Sequence, residues 1–80
     1  MTKTDKTIAK FKQNPATLPF HEIESLLVRF GFQIVPAKGS HRKFKHPTLK
    51  IEYVVPVHNG ECKSFYKKEI AKILKDNNLI

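Results

Sequence analysis

The stretch FQIVPAKGSHRKFKHPTLKIEYVVPV, Phe32 to Val57, decides the fold. Phe32–Ala37 is a short β-branched run with Pro36 near its end. It reads as a strand that finishes at that proline or carries it on an edge. Lys38-Gly39 marks a turn, Ser40 to His46 alternates with a period of two, and Pro47-Thr48 marks a second turn. Lys50 to Val57 is the strongest strand, with Ile51, Tyr53, Val55 and Val57 on one face and Pro56 suited to a strand end. His58-Asn59-Gly60-Glu61 closes the run with another turn. Three strands joined by turns this short pair as an antiparallel meander.

Outward from the meander the period becomes helical. On the N-terminal side, FHEIESLLVRFGF repeats Ile23, Leu26, Leu27 and Phe30 at helical spacing. Gly31 sits where a left-handed residue ends a helix, and Glu22 and Glu24 lie in the first turns, where carboxylates favour the dipole. On the C-terminal side, SFYKKEIAKILKDNN predicts an amphipathic helix capped by Ser64. Its expected apolar stripe is Phe65, Ile70, Ile73 and Leu74, with Lys67, Lys68, Lys72 and Lys75 on the rest of its surface. Residues 1–14 predict a short polar helix capped by Asp5, with Ile8 and Phe11 as its apolar stripe, ended by Asn14-Pro15; the loop PATLP follows. The fold class is therefore α+β: a three-stranded antiparallel sheet with both main helices on one face and the other face open, preceded by a short helical extension over residues 1–19.

Composition bounds the function. The chain has 80 residues, a single-domain length with a modest core. No apolar run reaches membrane-spanning length, and MTKTDKTIAKFKQ lacks the apolar core of an export signal. A single cysteine, Cys62, excludes an internal disulfide and fits a reducing compartment, so a cytoplasmic location without a membrane partner is expected. The net charge of +8 and pI near 9.8 favour a polyanionic partner. Composition does not choose among RNA, DNA, an acidic protein and an anionic surface.

Chemistry concentrates in KGSHRKFKHP, Lys38 to Pro47. Phe44 is its large apolar residue, so the Phe44 face turns to the helices; Arg42 and His46 share that parity. His41, Lys43 and Lys45 then line the open face as a row about 13 Å long, at about 3.3 Å per residue. A charged edge strand that resists aggregation would show the same spacing. Gly39 lets backbone N–H groups approach a phosphate, and the Ser40 hydroxyl can donate to one, although Gly-Ser is also ordinary hairpin chemistry. RNA carries its own nucleophile, the 2′-OH. An imidazole that titrates near neutrality can move its proton, and lysines can hold the charge that builds on the phosphate. His41 is thus the candidate acid–base group, and Lys38, Arg42, Lys43 and Lys45 are candidate phosphate binders. His58, at the end of the third strand, is a candidate second acid–base group or simply a turn residue.

Two other uses of these side chains carry less weight. A zinc site from His41, His46, His58 and Cys62 would have a spacing unlike that of familiar zinc motifs and lacks a paired Cys-x-x-Cys, so no metal or other cofactor is expected. His21 lies among acids on a helix surface. Cys62 reads as a small packing residue or a bystander, since one basic neighbour, Lys63, does not make a nucleophile.

The order of Gly31-Phe32, Gly39-Ser40-His41 and Val55-Pro56-Val57-His58 resembles that of the HicA family of toxins from bacterial and archaeal toxin–antitoxin pairs, over residues 20–80. Residues 1–19 look like the extension found in some members. The resemblance implies a double-stranded-RNA-binding-domain-like α-β-β-β-α fold and an endoribonuclease that cuts mRNA and arrests translation. It also implies a catalytic histidine at His41 and a HicB-type antitoxin as partner. Read without it, the same basic face suits a non-catalytic module that binds A-form RNA by shape, or a domain that meets an acidic protein.

Overall fold

The computed structural model describes residues 2–80. The elements are α1 (Lys3–Gln13), a 3-10 turn (Pro15–Thr17), α2 (Phe20–Arg29), β1 (Gln33–Pro36), β2 (His41–His46), β3 (Ile51–Pro56) and α3 (Ser64–Asp76). The sheet is antiparallel in the order β1-β2-β3. The α+β architecture and the meander are those expected from the alternating periods. Each strand is shorter than its sequence run, because the flanking residues serve the turns.

Pairing fixes which side chains share a face. Ile34 pairs with Phe44 and Phe44 with Tyr53; Arg42 pairs with Val55 and His46 with Ile51. These residues face the helices. Val35, Lys43 and Val54 form a row on the opposite face, and Gln33, Lys45 and Glu52 form the next. Phe44 and Val55 are buried, whereas Val35 and Val54 remain exposed, so the helices cover one face and leave the other open. Phe20 of α2 meets Phe44 edge-on at 6.0 Å.

The N-terminal extension is not an appendage. Phe11 is wholly buried and Leu18 nearly so, within the same core as Leu27, Phe44 and Leu74. Arg29 Nε donates to Thr4 Oγ1 at 3.2 Å, and Lys75 Nζ reaches the Lys12 carbonyl at 3.5 Å. Truncating a buried phenylalanine costs about 3–5 kcal/mol. A domain of this length has only about 4–12 kcal/mol in total, so α1 is part of what keeps the domain folded.

Several helix ends differ from expectation. Thr2, not Asp5, caps α1; Asp5 is the third helical residue and completes a reciprocal capping box with Thr2. Those bonds from Thr2 to the carboxylate hold the Asp5 pKa below its ordinary value. The first residue of α3 is Ser64 itself, with Lys63 in the cap position and no side-chain cap bond. Phe65 was expected in the buried stripe of α3 but is 62% exposed, and Lys67, expected in solvent, is buried. Phe65 precedes Ile70 by five residues, which turns it about 140° away at 3.6 residues per turn. Lys67 lies three before Ile70 and seven before Leu74, and so belongs to the core stripe.

The exit from α2 is built around His46. Gly31 N–H donates to the Val28 carbonyl and Phe32 N–H to the Leu27 carbonyl, at 3.0 and 2.9 Å. This pair of bonds, with Gly31 at φ +95, is a Schellman ending. His46 then joins the helix end to the β2–β3 turn. Its Nε2 lies 2.8 Å from the Phe30 carbonyl, and its Nδ1 accepts Leu49 N–H at 3.1 Å. A carbonyl only accepts, so Nε2 carries the proton. The ring stands edge-on to Phe32 at 4.9 Å. A Cβ at position 31 would lie 3.0 Å from His46 Nε2, which gives Gly31 a second reason to be glycine.

A buried cation forms the other junction. Lys67 Nζ meets Glu61 Oε1 at 2.8 Å, and the Glu61 carboxylate also accepts Cys62 N–H at 3.0 Å and Phe20 N–H at 3.3 Å. One side chain thus ties the start of α2 to α3. Partial desolvation pushes the Glu61 pKa up, but the bonds from Lys67, Cys62 and Phe20 outweigh it and hold the pKa below the ordinary glutamate value.

Two outcomes follow from these junctions. His46→Ala leaves the part-buried Phe30 carbonyl without its partner, at about 1–3 kcal/mol, while the exposed Leu49 N–H turns to water, so urea unfolding should show a loss of about 1–3 kcal/mol. A loss under about 0.5 kcal/mol would mean that the imidazole is dispensable. For Glu61, a depressed folded pKa stabilises the protein above the unfolded value of about 4.3. That stability is lost as pH falls through the lower, folded pKa. Glu61→Gln should therefore melt earlier at pH 7, with the gap to wild type closing on acidification.

Candidate active site

The turn between β1 and β2 presents Gly39, Ser40 and His41. Ala37 N–H donates to the His41 carbonyl at 3.0 Å, and His41 N–H reaches the Lys38 carbonyl at 3.4 Å. Gly39 has φ +69, and a Cβ there would meet nothing within 4 Å. Glycine is needed here for the backbone conformation, and the space around it stays open to an approaching anion. Val57 N–H donates to the Ser40 carbonyl at 3.2 Å, which pins the turn against the end of β3.

His41 is exposed, but its ring is oriented. Nδ1 lies 3.2 Å from the Lys38 carbonyl. Because the carbonyl can only accept, Nδ1 carries the hydrogen in the neutral ring, and Nε2 keeps its lone pair. This is the tautomer of an imidazole able to take a proton at Nε2.

The turn forms a wall between two depressions. One, of about 570 Å³, brings Gly39, Ser40 and His41 together with Arg42, Asn59 and Gly60. The other, of about 510 Å³, lies on the outer sheet face, where Lys38 and Val54 flank the same turn. Lys38, Gly39, Ser40 and His41 are therefore one local unit. In the sequence Asn59 and Gly60 stand out only as turn residues. Pairing of His41 with Pro56 is what brings their turn beside Gly39.

The cations divide into two groups. Lys43 and Lys45 face outward with His41, as alternation required, and share one carboxylate: Glu52 lies 3.5 Å from Lys43 Nζ and 3.6 Å from Lys45 Nζ. Exposed pairs of this kind are worth about 0–1 kcal/mol and yield to a competing anion. Arg42, expected among the phosphate binders, points to the helices. It forms an ion pair with Glu24 of α2, and its guanidinium lies 5.9 Å from the Phe20 ring centroid. It walls the larger depression but is already paired.

The remaining histidines and Cys62 lie outside the two depressions at this turn. His58 is exposed at the turn after β3, with its N–H and carbonyl bonded to Glu61 at 2.8 and 2.9 Å. Its ring lines a separate groove of about 390 Å³ with Pro56, Cys62, Lys63 and Tyr66, so the structure does not place it in a depression with His41. Both nitrogens of His46 serve the backbone. The four side chains weighed as zinc ligands are thus not gathered, and no group of three or more His, Cys, Asp or Glu lies together among the described residues. Burial pushes the Cys62 thiol pKa up, away from the reactive thiolate. No helix among the described residues is long and apolar enough to cross a membrane.

A family model described as the HicA toxin of bacterial toxin-antitoxin matches residues 20–78, from the first residue of α2 to just beyond α3. No curated protein and no solved structure matches the chain.

The outward row makes a prediction about polyanions. If Lys38, Lys43 and Lys45 each neutralise one phosphate of a single strand, log affinity should fall against log salt with a slope of roughly −2. Their joint replacement by alanine should flatten it by that amount. Glu52→Gln releases two lysines and should tighten binding about two- to five-fold at low salt, from the weak pairs it removes. Fluorescence anisotropy with a labelled RNA oligomer checks both; an unchanged slope in the triple variant would place the RNA on another surface.

Proposed function

As the chain belongs to the HicA toxin family of bacterial toxin–antitoxin systems, we propose that it is an endoribonuclease that cuts mRNA at His41 and is held inactive by a HicB-type antitoxin. The observation that carries this reading is the His41 ring: exposed, oriented through Nδ1 by the Lys38 carbonyl, and set beside an open glycine turn on a face with Lys43 and Lys45.

The chemistry follows from those groups. His41 Nε2 accepts the proton of a ribose 2′-OH, and O2′ attacks the adjacent phosphorus. Charge building on the phosphoryl oxygens is held by Lys38, Lys43 and Lys45, while Gly39 and Ser40 offer a backbone N–H and a hydroxyl to a non-bridging oxygen. The P–O5′ bond breaks on the side of phosphorus opposite the attacking O2′; the departing 5′-oxygen takes a proton from water, and the His41 imidazolium returns its proton to solvent. Arg42 supports the site through Glu24 and Phe20. His58 has no step in this sequence.

His41→Ala should keep its circular dichroism and melting profile, because the ring is exposed, yet lose RNA cleavage by at least about 10²-fold, the usual contribution of a general base. It should also lose growth arrest on expression. A substrate with a single 2′-deoxy residue at the cut site should resist, and cleavage should persist in excess EDTA. Binding without shortening of wild-type substrate would instead support an RNA-binding module. Full activity of a folded His41→Ala protein would overturn the assignment.

A further inference from the structure

We propose that the groove beside β3, walled by Pro56, His58, Cys62 and Tyr66, holds one unpaired nucleobase of the RNA next to the phosphate at His41; this rests on the RNA-cleaving reading above. The groove has a volume of about 390 Å³. Most of its wall is apolar, from the Pro56 and Tyr66 rings and Cys62, with His58 and Lys63 as polar groups at the same groove. Few convergent polar groups on an apolar wall are the marks of a small-ligand site.

Its position suits the next nucleotide along the strand. Pro56 is the ladder partner of His41, so the groove starts one strand spacing, about 4.8 Å, from the His41 backbone. A base turned away from a phosphate at His41 needs no long excursion to reach it.

Phe65, which does not line the groove but adjoins its Tyr66 wall, supplies an independent observation. It is 62% exposed and stands edge-on to Tyr66 at 5.3 Å. An aromatic ring this exposed adds little to the core. Single-stranded RNA is recognised by stacking splayed bases on such rings, and each stacked base is worth about 1–3 kcal/mol. The charge also fits a polyanion. The one carboxylate in the wall, Glu61, is occupied by Lys67, Cys62 N–H and Phe20 N–H, and Lys63 adds a positive charge. A neutral His58 ring offers one donor and one acceptor to a base edge. The histidine that the cleavage chemistry leaves idle thus gains a reading role.

The test separates stacking from cleavage. Single-stranded RNA carrying 2-aminopurine at successive positions around the cut site is bound to the His41→Ala protein, and fluorescence is read. One position should be strongly quenched, and adding Phe65→Ala or Tyr66→Leu, which keeps apolar bulk without a ring, should relieve the quench. In the wild-type protein an abasic residue at that position should lower kcat/KM about ten-fold, mainly through KM, and the same abasic substrate should cost the Tyr66→Leu protein less than about two-fold. Absence of a quenched position, or a quench indifferent to both ring substitutions, overturns the base site and leaves the patch as a protein-facing surface. A quench that behaves as expected in a protein that cuts no RNA upholds the base site and overturns the nuclease reading.

Discussion

The constraint on which the rest depends is the His46 imidazole, held between a helix end and a hairpin turn. Its two nitrogens satisfy the Phe30 carbonyl and the Leu49 N–H, and Phe32 packs against its ring. Gly31, at φ +95, lets the ring come this close, since a Cβ there would sit 3.0 Å from Nε2. The junction sets where the chain leaves α2 and where β2 ends, and so supports the register of the meander. Register in turn decides the face of each side chain in β2. A slip by one residue would send Lys43 and Lys45 into the core and Phe44 into solvent, a cost no surface contact could offset.

His41 and His46 stand five residues apart on one strand and therefore on opposite faces. That parity alone gives them opposite fates. His46 has no free nitrogen. His41 has one, with the other tied to the Lys38 carbonyl. The bond costs the site little and supplies what a proton acceptor needs: a defined tautomer and a ring that points one way. Lysine charge on the same face is tempered by Glu52, which spans Lys43 and Lys45. Such an arrangement lessens mutual repulsion in the free protein and leaves both ammonium groups available to a phosphate.

Much of this was legible in the sequence, because period and punctuation carry it. The three strands, the Gly31 ending of α2 and the outward row of His41, Lys43 and Lys45 follow from alternation and turn residues alone. The helical wheel also contains the burial of Lys67 and the exposure of Phe65, because angle along the helix outranks the hydrophobicity of a single side chain there. Other features depend on partners distant in the chain. Nothing near Arg42 announces that Glu24 will claim it. Nothing near Glu61 announces Lys67 or the Phe20 N–H. His46 could have been suspected from its shared face with Phe44 and from a glycine at position 31. Its two backbone partners emerge only once α2 and the β2–β3 turn are brought together.

The proposed removal of a 2′-OH proton by His41 is tested most directly by the ends of the product RNA. Attack by the 2′-OH leaves a 2′,3′-cyclic phosphate, or its hydrolysed monophosphate, on the upstream fragment and a free 5′-OH on the downstream one. Mass spectrometry of a single-site oligomer cut by the purified protein should show that pair of ends. A 5′-phosphate downstream with a 3′-OH upstream would require water as the nucleophile, and would contradict the chemistry assigned to His41.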